Sequence, residues 1–229
     1  MELKILSTGS KGNAYILRND NVSILLDAGV PYNAILNGLD YRLNTLKVAL
    51  VTHKHKDHSM AMDDLQAHGI PVWSPMTKMT RIKVQGWIIA HFQSYHDVPC
   101  WGFQVMGVKT RHRIVYATDT YKLPYVFPNT THYILECNYC PDILLQQVEQ
   151  GIIPRAHAKR VMQTHLGLET ASKFFAEQDL SACRKIILTH LSDGNSDAEM
   201  IQDTIRKQTG VETIVAEKGM TINMDLYEF

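Results

Sequence analysis

The sequence predicts an α+β fold: two β-sheets packed as a sandwich with helices outside, in a single domain over residues 1–229. Two observations predict it. Strand-like runs occur in each half of the chain and are followed by helical spacing, which suits sheets that pack on each other and carry helices on their outer faces. Hydrophobic residues make up 45% and charged residues 20%, an ordinary globular balance, and 229 residues can bury a full core.

In chain order, strands are expected near 3–8, 14–18 and 22–27, and a helix near 32–39. Leu46-Lys47-Val48-Ala49-Leu50-Val51 is apolar and β-branched and reads as a buried strand, while Met60, Met62, Leu65 and His68 take helical spacing from Ser59 onward. A strand-rich middle runs from about 70 to 137. Helices near 141–150 and 169–178 follow, then a strand ending at His190, a helix over 197–208 and two short strands. No apolar stretch approaches the roughly 20 residues that cross a bilayer. Met1-Glu2-Leu3-Lys4 begins directly with strand-like sequence and lacks signal-peptide features, so a cytoplasmic location is expected. The four cysteines are then free thiols, and Cys137-Asn138-Tyr139-Cys140 has no second C-x-x-C to complete a structural zinc site.

The chemistry is concentrated in Thr52-His53-Lys54-His55-Lys56-Asp57-His58, where three imidazoles and a carboxylate fall together just after an apolar strand. Divalent metals of borderline softness take such nitrogen and oxygen donors. On a loop between strand and helix, His53 and His55 can converge on one metal while Asp57 and His58 reach a second. Further ligand types follow apolar runs: His96 in Gln93-Ser94-Tyr95-His96-Asp97, Asp119 after Val115-Tyr116-Ala117-Thr118, and His190 after Ile186-Ile187-Leu188-Thr189.

H-x-H-x-D-H after an apolar strand resembles the signature of the metallo-β-lactamase superfamily. The resemblance implies an αββα sandwich with a two-metal site at one edge. It implies one metal on His53, His55 and His96, a second on Asp57, His58 and His190, and Asp119 shared between them. His91, inside strand-like sequence, and His112, between Arg111 and Arg113, are the alternatives to His96. Further segments resemble the small single-domain YycJ/WalJ-like branch: Ser7-Thr8-Gly9-Ser10-Lys11-Gly12-Asn13, Leu25-Leu26-Asp27-Ala28-Gly29, Leu135-Glu136-Cys137-Asn138-Tyr139, Thr164-His165-Leu166-Gly167 and Thr189-His190-Leu191-Ser192-Asp193-Gly194-Asn195. The chain departs from that branch at Cys137, where Ser or Ala is usual, and at Gly167, where Ser is usual.

The activity so implied is metal-dependent hydrolysis of a phosphodiester by a metal-bridging hydroxide, with two zinc or manganese ions, iron being also compatible with these donors. Asp57 would accept a hydrogen bond from that hydroxide. The resemblance places His165 near the substrate, where an imidazole protonates a leaving alkoxide or binds a phosphate oxygen. Asp27 is placed to orient the metal loop from behind, or to cap a turn. Ser10 and Asn13 belong to a glycine-rich segment that either presents donors to an anion or forms a tight hairpin. Asn138 and Ser192 are further candidates beside the ligands or the substrate.

A nuclease of DNA or RNA exonuclease type is the leading reading. The alternative is a small-molecule hydrolase acting on a cyclic or ribosyl phosphodiester or a glyoxalase-type thioester. A non-enzymatic metal-binding interaction protein is disfavoured by a set of seven candidate ligands. Net charge is zero, from 23 basic and 23 acidic residues, so no global field draws in a polyanion. Of the local basic clusters, Lys78-Arg81-Lys83 and Lys109-Arg111-Arg113 read as solvated charge, and Arg155-Lys159-Arg160 as a nucleic-acid backbone contact. Trp73, Trp87 and Trp101 read as core residues.

Overall fold

Successive residues of a strand face opposite ways, so a strand apolar at every position needs cover on both faces. The computed structural model, which describes residues 1–75 and 81–226, supplies that cover with four layers. One sheet comprises β1 (Glu2–Ser7), β2 (Ala14–Asn19), β3 (Val22–Leu26), β4 (Leu46–Leu50), β5 (Val72–Trp73) and the last strand, β13 (Thr221–Asn223), in the order β13-β1-β2-β3-β4-β5. The other comprises β6 (Arg81–Val84), β7 (Trp87–Tyr95), β8 (Pro99–Gly107), β9 (Arg113–Ala117), β10 (His132–Glu136), β11 (Lys185–Thr189) and β12 (Glu212–Val215), in the order β12-β11-β10-β9-β8-β7-β6.

Alternation along single strands shows how the layers interlock. Ile24 and Leu26 of β3 join Phe103, Tyr116, Ile134 and Ile187 in the core between the sheets. Leu25, between them, faces outward with Ala49 onto Ile35 and Leu39 of α1 (Tyr32–Gly38) and its C-cap, and onto Leu65 of α3 (Met62–Ala67). In the second sheet Tyr133, Leu135, Ile186 and Leu188 face outward onto Phe174 and Phe175 of α6 (Leu168–Ala176) and Ile201 and Ile205 of α7 (Ala198–Thr209). Each fully buried Leu, Ile or Phe side chain contributes about 1.5–3 kcal/mol relative to exposure. α7 begins at Asp197, whose Oδ1 accepts the Met200 N–H at 2.9 Å, and stops at Gly210 with φ 68°.

β3 to β5 are mutually parallel, as are β9 to β12. Their carboxyl ends therefore share one edge of the sandwich, the edge at which loops of open α/β sheets gather ligands.

Three expectations are corrected. The helix placed from Ser59 onward begins at Lys56 as α2 (Lys56–Ser59), so Asp57 and His58 are helical and not in a loop. It breaks before α3 because Ala61 N donates to Ala28 O at 2.9 Å, tying the chain to the turn after β3. The third is an unforeseen helix, α5 (Arg155–Thr164), which follows α4 (Pro141–Glu149). Only Ala158, Val161 and Thr164 of α5 are buried, too weak an apolar stripe to read amid so many polar residues. Lys78 of the first basic cluster lies outside the described residues. Trp73 and Trp87 are core residues, Trp101 packs against the core half-buried, and all four cysteines are buried free thiols.

Candidate metal centre

Every residue of the predicted cluster leaves a strand or enters a helix at the shared edge. His53 lies just beyond β4, His55 caps α2, His96 follows β7, Asp119 follows β9 and His190 follows β11. Asp27, Asp119 and His190 have φ of 57°, 51° and 55°, a left-handed conformation uncommon outside glycine. Such residues cost on the order of 1–3 kcal/mol each and persist where the surroundings impose them. Gly29 permits the loop approach: a Cβ there would lie 1.7 Å from Asp57 O.

Candidate ligand atoms of His53, His55, His96 and Asp119 lie within 4.8 Å of one another, as do those of Asp57, His58 and His190. Asp119 spans the two groups. Its Oδ2 lies 3.6 Å from His96 Nε2 and 3.8 Å from His53 Nε2, while its Oδ1 lies 3.4 Å from both His58 Nε2 and His190 Nε2. Of the three candidates for the third-motif histidine, His96 alone joins the cluster. His91 stacks on Trp101 with centroids 3.8 Å apart, and His112 Nε2 donates to Met224 O at 2.8 Å.

The donor set fits divalent cations. His53 Nε2 and His190 Nε2 are buried without a hydrogen-bond partner, a costly state for an imidazole nitrogen unless something else binds it. Cys100 Sγ lies 3.9 Å from His53 Nδ1, the ring nitrogen away from Asp119, so nitrogen and oxygen alone face the centre. Burial and the neighbouring His58 push the His53 imidazole down to about 2. Burial likewise lowers His96. Burial opposes charge on His58 too, yet Asp119 and Asp27 outweigh it and raise the group to about 9. Asp119 is itself buried, and the charges of His190, His58 and His53 hold it well below the carboxylate range. Metal ligation needs neutral imidazoles, so loading this cluster competes with protons.

The supporting shell fixes the imidazoles through their second nitrogens. His58 Nδ1 donates to Asp27 Oδ2 at 2.7 Å, and His96 Nδ1 to Thr164 O at 2.9 Å. Asp27 is fully buried and also accepts from Thr52 N at 2.7 Å, Thr52 Oγ1 at 3.0 Å and Tyr116 OH at 2.5 Å. Asn138 donates to His190 O at 2.8 Å and lies 3.0 Å from its Nδ1. Asn13 is buried, with its amide spent on Gly9 O at 3.1 Å and on the vicinity of His58 Nε2 at 3.0 Å. It braces the loop and is not turned to solvent. Ser10 is exposed and Ser192 half-exposed; both line a cleft of about 640 Å³ that runs beside Leu191.

His165 joins from the end of α5. Its Nδ1 donates to Glu136 Oε1 at 2.5 Å, and its ring stacks on His190 with centroids 5.3 Å apart. Glu136 is buried, its Oε2 accepting from Thr120 N at 3.0 Å and Leu166 N at 3.2 Å. Burial disfavours the imidazolium, but the charge and hydrogen bond of Glu136 prevail and raise His165 to about 9. Sequence reasoning passed over Thr52, Tyr116 and Asp97, whose Oδ1 lies 3.1 Å from His96 Nε2. Asp97 and Thr52 had a local signal, each standing beside a candidate ligand. Tyr116 is 89 positions from Asp27 and no pattern links them.

Comparison with known proteins matches residues 7–78 to the metallo-beta-lactamase superfamily. Exodeoxyribonuclease WalJ of Streptococcus pneumoniae is 24% identical over 257 aligned positions, covering 98% of this chain and 92% of the relative. Exodeoxyribonuclease YycJ of Bacillus anthracis is 22% identical over 253, covering 97% and 92%. Among solved structures, the metallo-beta-lactamase fold protein YhfI from Bacillus subtilis shares the fold with a TM-score of 0.69 at 15% identity, over 96% of this chain and 98% of that one. No helix among the described residues is long and apolar enough to cross a membrane.

Proposed function

Because this chain is a metallo-β-lactamase superfamily protein with distant homology to the WalJ and YycJ exodeoxyribonucleases, we propose that it is a two-metal phosphodiesterase acting on nucleic acid. The observation that carries the reading is the division of Asp119, one oxygen toward His53 and His96 and the other toward His58 and His190. In the proposed centre His53, His55 and His96 would hold one cation and Asp57, His58 and His190 the other, with Asp119 available to both. When bound, two such cations supply hydroxide near neutral pH and neutralise charge on phosphate oxygens.

The chain's own groups do the rest. Asp57 lies half-buried with Oδ2 3.6 Å from His58 Nε2, and a carboxylate in that place can orient the attacking water. Glu136 occupies Nδ1 of His165, so the proton available to a leaving alkoxide is the one on Nε2. Asp27, through Thr52 and His58, keeps the metal loop in register with β4. Asn138 holds the ring of His190.

The zero net charge favours a second reading, hydrolysis of a small phosphodiester or thioester. A panel of end-labelled single- and double-stranded DNA and RNA, bis-p-nitrophenyl phosphate and a thioester, assayed with zinc and with manganese, separates the two. Nucleic-acid cleavage with affinity falling steeply in salt is expected; turnover of the small substrates alone overturns the nuclease reading.

A further inference from the structure

We propose that the solvent face of α5 is a track for the phosphates of a nucleic-acid strand whose end lies in the metal centre; this rests on the phosphodiesterase reading and specifies how that substrate is held. Packing sets the helix's rotation, because Ala158 and Val161 pack with Leu144 of α4 and with Tyr139 in one cluster. Of the seven exposed residues of the helix, Arg155, Lys159, Arg160 and Gln163 are hydrogen-bond donors, and they lie beside Ala156, His157 and Met162. The helix contains no Asp or Glu. Among the described residues, no carboxylate forms an ion pair with Arg155 or Lys159.

The track ends at the site. Thr164, the last residue of α5, accepts the His96 Nδ1 hydrogen bond at 2.9 Å, and His165 follows it. Arg160 is 72% exposed and reaches Asp97 Oδ2 at 3.9 Å, while the other oxygen of Asp97 is 3.1 Å from His96 Nε2. So long and exposed a pair contributes little, which leaves the guanidinium free to exchange Asp97 for a phosphate. Ten helical residues extend about 15 Å at ~1.5 Å per residue. That length is enough to lie beside more than one phosphate of a strand. In a chain of zero net charge, a helix face with cations alone is a local field suited to a polyanion.

The test uses the metal-loaded full chain and two variants, Arg155→Ala/Lys159→Ala and Arg160→Ala. Alanine is favourable in a helix, so melting temperature and metal content should be kept. Anisotropy of a labelled single-stranded oligonucleotide is followed over a salt series. Removing two phosphate contacts should reduce the slope of log affinity against log salt by about 1.4, and removing one by about 0.7. Bis-p-nitrophenyl phosphate, too short to reach Arg155 or Lys159, should be turned over by the Arg155→Ala/Lys159→Ala variant as by the parent. Unchanged slopes in both variants, with a parent that binds and cleaves the oligonucleotide, overturn the track and leave the nuclease reading standing. A parent that turns over bis-p-nitrophenyl phosphate but neither binds nor cleaves any oligonucleotide overturns that reading, and the track with it. Binding to phosphatidylserine vesicles instead, lost in the same variants, would reassign the face to an anionic membrane.

Discussion

Asp27→Asn tests whether the metal centre is held from behind by one buried carboxylate. Asp27 accepts from Thr52 N, Thr52 Oγ1, His58 Nδ1 and Tyr116 OH, and no solvent reaches it to repair a lost partner. Asparagine keeps the shape and tolerates the φ of 57°, so the substitution removes charge without adding backbone strain. Its NH₂ must then face a donor, either Thr52 or His58, at about 1–3 kcal/mol for the mismatch. If it faces His58, the ring loses the carboxylate that fixes its tautomer, and loss of such a partner weakens metal binding about 10–100-fold, or ~1.4–2.7 kcal/mol. The assay is competition with a calibrated chelator, read as two separate equivalents. The expected result is one equivalent weakened in that range and the other changed much less, with metal-free melting lowered by ~2–4 °C per kcal/mol. Tyr116→Phe removes one of the four donors and should give a smaller effect in the same direction. Two equivalents bound as tightly as in the parent would refute the reasoning.

His190→Ala should lose one metal equivalent preferentially by elemental analysis, since its unpartnered Nε2 faces Asp119 Oδ1 at 3.4 Å; a full complement would remove the residue from the centre. His165→Ala should keep both metals but lose about 10²–10⁴-fold in turnover on nucleic acid. A proton donor predicts a much smaller loss with a p-nitrophenolate leaving group, and an equal loss on both substrates would indicate phosphate anchoring. Far from the centre, burial first, then His112 and Lys185, push His132 down to about 3. The unfolded chain, titrating near 6.5, binds the extra proton in that window, so this histidine's neutral burial costs nothing above pH 6.5 and up to about 1.4 kcal/mol per pH unit below it. Denaturant midpoints of His132→Phe should therefore decline less than the parent's between pH 6.5 and 5, and parallel profiles would exclude the assignment.

Much of the site was legible because its ligand types follow strands whose apolarity is itself a signal. β4, β9 and β11 are buried along nearly their whole length, and a polar residue directly after such a run marks an exit at the sheet edge. Among the histidines, a strand-interior position argued against His91, and the structure pairs it with Trp101. Local spacing could not report contacts that depend on sheet-on-sheet packing. Tyr116 reaches Asp27 only because β9 lies across from β3 in the sandwich. α5 escaped notice for another reason: it packs chiefly on α4 and Tyr139, so three small or medium side chains suffice to seat it. Which of its two open roles, anion donor or hairpin brace, Asn13 takes also depended on direction, and the chain turns that amide inward.

The direction of the parallel strands explains why ligand types scattered along the chain meet at one edge. Asp27 N donates to Leu50 O at 2.9 Å, so the exits of β3 and β4 are locked side by side. On the facing sheet, Ala117 pairs with Leu135 and Leu135 with Leu188, which brings Asp119, Glu136 and His190 to neighbouring strand ends. An extended exit would carry these side chains onward, away from the opposite sheet. The left-handed turn at Asp27, Asp119 and His190 instead folds each chain back within two residues of its exit. At about 1–3 kcal/mol apiece, this conformation opposes folding by an amount comparable with a domain's whole net stability. Hydrogen bonds hold two of the three from the first sheet, Asp27 by Thr52 and His190 N by Thr8 Oγ1 at 2.9 Å. Strain, orphaned imidazoles and buried carboxylates therefore coincide at the one edge where bound cations would compensate all three.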